Sequence, residues 1–384
     1  MEVKNLYKGV QCRIYPNKEQ KQLIHMTFGH TRFIWNKMLD MLISRYKNNP
    51  DLSFPSKYRL RNLIKSMNYE YPWLKDVDSR ALYSSVDDLY SAFQNLFKYS
   101  SKHPRFKSKH RNKQSYRTRC SNQNIRLNSN QRYIKLPKLG WIYCRKSIDF
   151  IENKNIKSAT IKYLPSNKYE VTLIMESEKQ ALPTTNKSIG IDLGLKYFLI
   201  TSEGQKINNQ HFIKNNIQKF KREQRKLSKR ALIAKQSGKS LHEAKNYQKQ
   251  RIKVAKLSEK IKNQRKNFSH QLSKYIVRNY DVICIENLAV NFLIKNHKLS
   301  RAISDVSWFE FVRRLKYKAQ WYNKQIIQVS RFYPSTKICS TCGAYNSKIK
   351  LGVDKWTCPK CNTLHDRDIN AAKNILYKGI KNKV

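Results

Sequence analysis

Four cysteines near the C-terminus limit the possible folds of this 384-residue chain more than any other feature. They form two Cys-x-x-Cys pairs, Cys339 with Cys342 and Cys358 with Cys361, and fifteen residues separate the pairs. This spacing is typical of a zinc ribbon, in which two knuckles place four thiolates around one Zn²⁺. Four free cysteines or two disulfides are the alternative interpretation. Because four thiolates close the coordination shell, we expect this zinc to be structural, and we expect His365 nearby to be a surface or core histidine.

The charge of the chain indicates a polyanionic partner. There are 78 Lys and Arg against 26 Asp and Glu, a formal net charge of +52. Such an excess is self-repulsive in a compact protein unless a polyanion neutralises it, and the usual polyanion is nucleic acid. A membrane surface is the competing partner, but no hydrophobic run approaches the length of a spanning helix.

The N-terminal sequence and the remaining cysteines bear on location. MEVKNLYKGVQCR lacks the apolar core of a signal peptide. Four cysteines outside the paired motif are scattered along the chain, which fits small core residues in a reducing cytosol. We therefore expect a cytoplasmic protein associated with the nucleoid and not with a membrane.

The first half of the chain predicts a helical unit and a β unit. Val10, Cys12 and Ile14 alternate with polar residues as in a short strand, and Asn17 with Gln20 forms a capping-box pattern at a helix start. Helical spacing continues to about residue 47 and resumes after Asp78. From Pro104 onward, short alternating runs such as RYIKL, GWIYC, SATIKYL and KYEVTLIM predict a small, mostly antiparallel β unit, and ALPTTNK predicts a linker.

The second half has the element order of an RNase H-like α/β domain. SIGIDLGLKYFLITSEG predicts two strands, and residues 214–268 predict a helical hairpin that carries 19 Lys or Arg against three Glu. YDVICIENL then predicts a buried central strand. The remaining elements are a helix over 308–324, a strand over 326–330, the cysteine-rich insertion and a final helix over 368–378.

Three acids occupy positions in this order that suit a divalent-metal site. Asp192 lies in the apolar run GIDLG, Glu286 ends the apolar run VICIE, and Asp368 starts the last helix. Hydrolysis of phosphodiesters by two Mg²⁺ ions needs carboxylates that bridge ions about 3.5–4 Å apart. Taken singly, the acids have plain alternatives as a turn residue, a solvent-facing strand end and a helix cap. Either Asp366 or Asp368 of the DRD sequence could be the third ligand, and we favour Asp368 because the residues after it place it on the helix.

Together these segments resemble the transposon-encoded TnpB (OrfB-type) proteins, which are related to the compact type V CRISPR effectors. The resemblance covers nearly the whole chain and rests on CRIYPNKEQ, HPRFKSK, GIDLGLKYF, ICIENL, KLSRAISDVSWFEFVRRLKYKA, RFYPSTKICSTCG, WTCPKC and HDRDINAAKNIL. It places the family's catalytic acids on Asp192, Glu286 and Asp368 and its zinc ligands on Cys339, Cys342, Cys358 and Cys361.

The departures from the family pattern are small. Asn rather than Asp follows Glu286, and Asn362 rather than Gly follows Cys361. Because Asn tolerates the left-handed conformation that Gly would supply, we expect the second knuckle to form. All three acids are present, which argues against the inactivated members of this lineage that only bind DNA.

The resemblance implies a fold class and domain bounds. We expect a RuvC-like nuclease domain over 184–384, with the helical hairpin at 209–268 and an inserted zinc ribbon at 335–364. An N-terminal β-barrel-like (wedge) unit is expected over 1–16 and 104–183, and a helical recognition unit over 17–103.

The resemblance also implies an activity and partners. The expectation is RNA-guided, Mg²⁺-dependent cleavage of double-stranded DNA beside a short flanking motif, with two catalytic Mg²⁺ ions and one structural Zn²⁺. The guide RNA would come from the transposon end, with one protein copy on one RNA, and base pairing would read the target sequence. Candidate backbone contacts are residues 209–268 and six side chains of the HPRFKSKHRNKQSYR segment, each of which could instead be a solvated surface group: Arg105, Lys107, Lys109, Arg111, Tyr116 and Arg117.

Two other functions use parts of the same pattern. A DNA transposase uses similar carboxylates for strand transfer, and its products would be joined strands rather than simple breaks. A non-enzymatic regulator that binds RNA or DNA needs the basic surface but not the three acids. Their presence therefore counts against the regulator.

Overall fold

The computed structural model describes residues 6–110, 113–145, 155–177, 181–288, 300–350 and 352–381, and of residues 301, 302 and 304 only the backbone. The chain divides into two compact units, Met1–Ser177 and Glu178–Val384. Each unit has hydrophobic clusters of its own. The finer division into wedge, recognition and nuclease domains stays a prediction.

The first unit contains a seven-stranded sheet in which the paired strands run antiparallel. Its strand order is β2-β6-β7-β1-β5-β4-β3. The predicted antiparallel β unit is confirmed, including the strand through Val10, Cys12 and Ile14, whose side chains are buried. Closure of the sheet into a barrel stays a prediction. The strands are β1 (Leu6–Tyr15), β2 (Gln114–Arg119), β3 (Arg126–Leu127), β4 (Tyr133–Leu136), β5 (Gly140–Cys144), β6 (Ile156–Tyr163) and β7 (Tyr169–Ser177).

The helices of the first unit are α1 (Lys18–Asn48), α2 (Lys57–Glu70) and α3 (Ser79–Tyr99), with a 3₁₀ turn at Pro72–Asp76. The predicted capping box is confirmed. Asn17 Oδ1 accepts a hydrogen bond from the Gln20 amide at 2.8 Å, and Gln20 Oε1 accepts one from the Asn17 amide at 3.0 Å. The helix that it starts runs unbroken, because its buried positions recur at helical spacing along one face.

The second unit contains a five-stranded mixed sheet of order β10-β9-β8-β11-β12. Strand β8 pairs antiparallel with β9, β9 pairs antiparallel with β10, and β8, β11 and β12 run parallel. The predicted central position of VICIE is confirmed, since β11 lies between two neighbours. The strands are β8 (Ser188–Asp192), β9 (Tyr197–Thr201), β10 (Lys206–Asn208), β11 (Val282–Glu286) and β12 (Gln325–Val329).

Helices cover both faces of this sheet. Ile189 and Ile191 of β8 point to a cluster that includes Phe311, whereas Cys284 of β11 faces Ile375 on the other side. Burial on both faces explains the continuous apolar runs of these strands. The predicted hairpin is confirmed as α4 and α5, and α5 extends beyond the predicted end. The helices are α4 (Phe212–Gln236), α5 (Lys245–Asn279), α6 (Ser300–Val306), α7 (Trp308–Trp321) and α8 (Arg367–Lys381), and a two-stranded hairpin forms from β13 (Lys355–Thr357) and β14 (Leu364–Asp366). No helix in the described part of the chain is both long and apolar enough to cross a membrane.

Candidate active site and metal centre

Two of the predicted acids end neighbouring parallel strands. Asp192 is the last residue of β8 and Glu286 is the last residue of β11. The register pairs Ile191 with Ile285, so the two acids follow directly at the same edge of the sheet. The carboxyl ends of parallel strands are where open α/β sheets place functional groups. Strand register therefore brings together two acids that are far apart in sequence.

Helix α8 supplies the third acid, and its start separates the roles of the two DRD aspartates. Asp366 Oδ1 accepts hydrogen bonds from the amides of Asp368 at 3.2 Å and Ile369 at 3.1 Å, so Asp366 caps the helix. Its other oxygen pairs with Lys206 Nζ at 2.6 Å. Burial acts to raise the pKa of Asp366, but these hydrogen bonds hold it below its ordinary value. Asp368 lies in the first helical turn, which agrees with the preference for it as the third acid.

A glycine in β8 allows helix α8 to approach the sheet closely. A Cβ atom on Gly190 would overlap the carbonyl oxygen of Ala372 and lie 2.8 Å from Leu376 Cβ. A Cβ on Gly379 would likewise overlap Cys284. Glycine at both contacts removes this overlap, so the backbone of α8 lies directly on β8 and β11. We expect the position of Asp368 relative to Asp192 to depend on this contact.

The electrostatics of Asp192 show that this carboxyl is affected by both of the other acids. Burial, followed by the negative charges of Glu286 and Asp368, raises the pKa of Asp192 to about 7. A hydrogen bond from the Leu193 amide and the charge of Arg367 lower it in part. Burial also raises the pKa of Glu286. Clustered, desolvated carboxylates with raised pKa values are typical of functional sites.

The donor set at this edge fits a hard divalent cation. All three side chains offer carboxylate oxygens, the ligands that Mg²⁺ prefers. A cation there would also offset the repulsion that raises the pKa of Asp192. Among the described residues, the four cysteines form the group whose potential ligand atoms lie close enough together to hold a metal ion. The carboxylate oxygens of the three acids are not part of such a group.

Basic side chains that sequence reasoning did not identify surround the acids. Arg367 pairs with Asp368 at 3.2 Å, and Lys196 Nζ donates to Asp354 at 2.8 Å. The charge of Asp368 contributes to raising the pKa of both Lys196 and Lys206, after their hydrogen bonds to Asp354 and Asp366. The one signal in the sequence is the arginine between the two aspartates of DRD.

The four predicted zinc ligands converge in the structure. The Sγ atoms of Cys339, Cys342, Cys358 and Cys361 all lie within 4.8 Å of one another, close enough to share one metal ion. Cys339 Sγ is 3.6 Å from Cys361 Sγ, and Cys342 Sγ is 3.6 Å from Cys358 Sγ. Four convergent sulfurs of this kind form a tetrahedral zinc-type donor set.

The two knuckles have the same backbone geometry. The Gly343 amide donates to the Cys339 carbonyl and the Asn362 amide donates to the Cys358 carbonyl, each at 2.9 Å. Gly343 has φ of 73° and Asn362 has φ of 53°. The prediction that Asn362 adopts the left-handed conformation in place of Gly is confirmed.

His365 is a core histidine beside the sulfurs. It is buried, its Nε2 lies 3.0 Å from Cys339 Sγ, and its ring packs against Trp356 with centroids 4.8 Å apart. Trp356 and His365 are opposite each other in the β13–β14 hairpin. The ring therefore orients a ligand sulfur, and the prediction that it is a core or surface histidine is confirmed.

Two buried asparagines connect the cysteine site to helix α8. Asn370 donates to the Ile338 carbonyl at 2.7 Å and accepts from the Ser340 amide at 2.9 Å. Asn374 donates to the carbonyls of Ser335 at 2.7 Å and Ile338 at 2.6 Å. The first knuckle is thus held on the helix that carries Asp368. Sequence reasoning missed this link, because an asparagine in a helix has no distinctive spacing.

Comparison with known proteins gives the family. The chain is 32% identical over 385 residues to a protein of Streptomyces pristinaespiralis named "Putative RNA-guided DNA endonuclease", covering 99% of this chain and 90% of the relative. The chain belongs to the TnpB family. A protein of Escherichia coli (strain K12) named "Putative RNA-guided DNA endonuclease InsQ" is 28% identical, with 97% of this chain and 92% of the relative covered.

Family models agree with this membership, and one solved structure has a similar fold. A model described as "Probable transposase" matches residues 168–297, and one described as "Cas12f1-like, TNB domain" matches residues 308–375, which contain the four cysteines. A third, described as "Helix-turn-helix domain", matches residues 1–50, where the described residues form strand β1 and the single helix α1. The solved structure entitled "Structure of the mini-RNA-guided endonuclease CRISPR-Cas_phi3" has a similar fold, with a TM-score of 0.50, 10% identity and coverage of 98% of this chain and 93% of that chain.

The structure corrects one of the six predicted nucleic-acid contacts and qualifies two others. Tyr116 is buried against Phe28, with ring centroids 5.7 Å apart, so the prediction of a surface contact is wrong for Tyr116. Side chains alternate along β2, which turns Tyr116 inward and Arg117 outward. Arg117 pairs with Asp88 at 2.5 Å, and Lys107 Nζ lies 3.3 Å from the centroid of the Trp35 ring.

The other three candidates keep their status as predictions. Arg105 and Lys109 are exposed, and Arg111 lies outside the described residues. The Arg105 carbonyl accepts a hydrogen bond from the Trp35 indole at 3.0 Å, so the backbone there is held while the guanidinium faces solvent.

Proposed function

We propose that this chain is an RNA-guided, Mg²⁺-dependent DNA endonuclease whose catalytic acids are Asp192, Glu286 and Asp368. The observation that carries the proposal is the assembly of three acids from distant segments at one sheet edge, where burial, followed by the charges of Glu286 and Asp368, raises the pKa of Asp192 to about 7. A full-length relative named as an RNA-guided DNA endonuclease supports the activity and its substrate. The mixed sheet order supports a RuvC-like, RNase H-like nuclease domain.

The three acids would bind Mg²⁺ from two kinds of secondary structure. Asp192 and Glu286 would hold the metal from the strand ends, and Asp368 would hold it from the helix. When bound, Mg²⁺ supplies an activated water and stabilises charge on the phosphate during hydrolysis. Asp192 has to release its proton before it can act as a ligand, so binding at this residue is coupled to pH. Arg367 balances the charge of Asp368 at 3.2 Å without adding a ligand.

The four cysteines would hold a structural Zn²⁺. Thiolates that close the coordination shell leave no position for water or substrate. Their role in the proposed reaction is therefore indirect. The hydrogen bonds of Asn370 and Asn374 to the first knuckle hold the zinc ribbon on α8, and so support the position of Asp368.

The partners that we propose are a guide RNA from the transposon end and double-stranded target DNA with a short flanking motif. The net charge of +52 supports a partner with many phosphates. Helix α4 supports an extended contact, because only Ala234 of its residues is buried and the rest are available to a partner. One protein copy on one RNA is the simplest assembly.

The test combines the protein with its own RNA. The chain is co-expressed with its transposon end, purified with the RNA that it retains, and incubated with Mg²⁺ and a plasmid that carries the matched target beside randomised flanking bases. We expect breaks in matched targets that have one enriched flank. Retained RNA without breaks would contradict the nuclease, and joined strands in place of breaks would indicate a strand-transfer enzyme.

Matched variants test the site assignment in the same assay. Asp192→Ala and Asp368→Ala should abolish cleavage while RNA binding stays near normal. Asp366→Ala is the control, because it removes a helix cap that stabilises by about 1 kcal/mol and no proposed ligand. We expect it to retain cleavage within about tenfold. Equal cleavage by Asp192→Ala would overturn the site, and complete loss in Asp366→Ala alone would move the third ligand to Asp366.

A further inference from the structure

A row of aromatic side chains crosses the outer face of the sheet in the first unit. The register places Tyr143 of β5 opposite both Tyr15 of β1 and Tyr133 of β4. The ring centroids are 5.5 Å apart for Tyr15 and Tyr143 and 5.6 Å apart for Tyr133 and Tyr143. Trp141 lies on the same face, two residues before Tyr143. Four large rings therefore share one side of three adjacent strands.

These rings face solvent although the opposite side of the same strands is buried. Tyr15, Tyr133, Trp141 and Tyr143 are each 42–43% exposed. Ile142, between two of them, is buried in the core. The tyrosine pairs have interplanar angles of 43° and 67°, so neither pair is stacked in parallel and ring faces remain open.

The charges beside the rings are positive. The Arg13 guanidinium carbon lies 4.7 Å from the centroid of Tyr15, and that of Arg126 lies 5.7 Å from the centroid of Trp141. Lys135 is opposite Trp141 in the strand register. In β1, β3, β4 and β5 as the structure describes them, no residue is acidic. Glu170 on β7 is paired in register with Arg13 and accepts a hydrogen bond from Gln11.

Open aromatic rings flanked by cations have the chemistry that binds unpaired nucleotides. Bases stack on the rings, and phosphates lie beside the basic groups. A duplex cannot use such a surface, because its bases are already stacked on one another. A protein partner with an acidic surface would use the cations but would leave four ring faces without a specific role.

We propose that the ring face, defined as Tyr15, Tyr133, Trp141 and Tyr143, binds unpaired nucleotides of the guide RNA. The proposal rests on the proposed function in one respect, that RNA is a partner, and it requires no cleavage. RNA is the occupant chosen because the target DNA is recognised by base pairing, whereas a structured guide contains single-stranded segments.

Binding of a short oligouridylate of about 12 nucleotides to the full-length, zinc-loaded chain tests the proposal. Fluorescence anisotropy is measured over a range of salt concentrations. Tyr143→Val keeps a good strand former but removes the central ring. We expect it to weaken binding by about fivefold or more at every salt concentration, without a change in the slope of log affinity against log salt. Tyr143→Phe should restore binding to within about twofold, because the ring remains.

Three controls separate stacking from other effects. An RNA of the same length with abasic sites should bind the native chain and Tyr143→Val equally, because it has no bases to stack. Tyr69→Leu, which changes an equally large ring on helix α2 that is 90% exposed, should leave binding unchanged. Arg126→Gln should instead reduce the salt slope by about one.

Several results would overturn the proposal. One is that Tyr143→Val weakens the binding of abasic RNA as much as that of the intact RNA. Another is that Tyr143→Phe weakens RNA binding as much as Tyr143→Val does, and a third is that the weaker binding accompanies a lowered melting temperature. Each would show that the rings only stabilise the sheet. Ring-dependent binding of oligodeoxythymidylate but not of the RNA would assign the face to DNA. Ring-dependent RNA binding in a chain that fails to cleave would support this proposal and contradict the nuclease, so the two failures are distinguishable.

Discussion

The cysteine site and the acid site are both built from groups that repel one another as anions, but they are assembled in different ways. The sulfurs lie within 4.8 Å of one another, and each pair is positioned by a knuckle closed within five residues of chain. The acids come from two strands and a helix at positions 192, 286 and 368. Strand register places the first two acids side by side, and we expect the contact of α8 with Gly190 to position the third.

This difference predicts that the two sites respond differently to loss of a metal and to mutation. We expect the cysteine site to depend on a bound Zn²⁺, because four thiolates need a cation to offset their repulsion. The acid site depends on the fold of the second unit, and it costs stability when no cation is bound, since burial and repulsion raise the pKa of Asp192. The stabilities of the two sites can therefore be measured separately.

The largest effect is expected from Cys339→Ser, which removes a proposed zinc ligand. Structural zinc contributes on the order of 10 kcal/mol to the folding of small zinc peptides, so loss of one thiolate should release the metal and lower the melting temperature. Zinc content and thermal unfolding check this outcome. Cys120→Ser is the control, because Cys120 is a half-buried thiol outside the cluster. Full zinc content and an unchanged melting temperature in Cys339→Ser would contradict the zinc ribbon.

Gly190→Ala should produce the next largest effect by forcing α8 away from the sheet. The added Cβ would overlap the Ala372 carbonyl oxygen, and overpacking of this kind costs about 1–3 kcal/mol. We also expect cleavage to fall by about a hundredfold, because Asp368 moves with the helix. Zinc content should not change. Gly9→Ala in β1 is the control, since its Cβ would meet Ile174 Cδ1 at an ordinary 3.7 Å. Unimpaired cleavage in Gly190→Ala would show that this contact does not set the acid spacing.

A change in stability of opposite sign is expected from Asp192→Asn. The pKa of Asp192 is about 7 in the folded chain against an ordinary value of 3.8, so the folded state holds a proton that the unfolded state has lost between these values. Without Mg²⁺, the stability of the native chain should therefore fall as pH rises from about 4 to 7. The variant lacks this loss and should be more stable at pH 8 by about 2–4 kcal/mol, although it cannot cleave.

Thermal unfolding of the native and variant chains without Mg²⁺, at pH 5 and pH 8, measures this difference. Added Mg²⁺ should stabilise the native chain more than Asp192→Asn. Asp354→Asn is the control, because the hydrogen bond from Lys196 lowers the pKa of Asp354, so its loss cannot stabilise the chain at high pH. An equal stability of native and Asp192→Asn chains at both pH values would contradict a raised pKa of Asp192 in the folded chain.

Local patterns in the sequence predicted the elements and the cysteine site well. The capping box at Asn17, the central strand that ends at Glu286 and the left-handed Asn362 are all observed. Each depends on residues a few positions apart, so propensity and hydrogen bonding within a short segment decide the outcome. The prediction for Tyr116 was wrong because it was made from the many basic residues of the segment and did not take into account that alternate side chains of strand β2 point inward.

The sequence by itself determined the types of element, the zinc-type donor set and the three acids. It left open which DRD aspartate faces the other acids, because both positions are acidic and two residues apart. The tertiary structure shows that Asp366 caps helix α8 and pairs with Lys206, which supports the choice of Asp368. The tertiary structure also brought Tyr15, Tyr133 and Tyr143 into one row. Strand register is set by packing between distant segments, and no local pattern in the sequence specifies it.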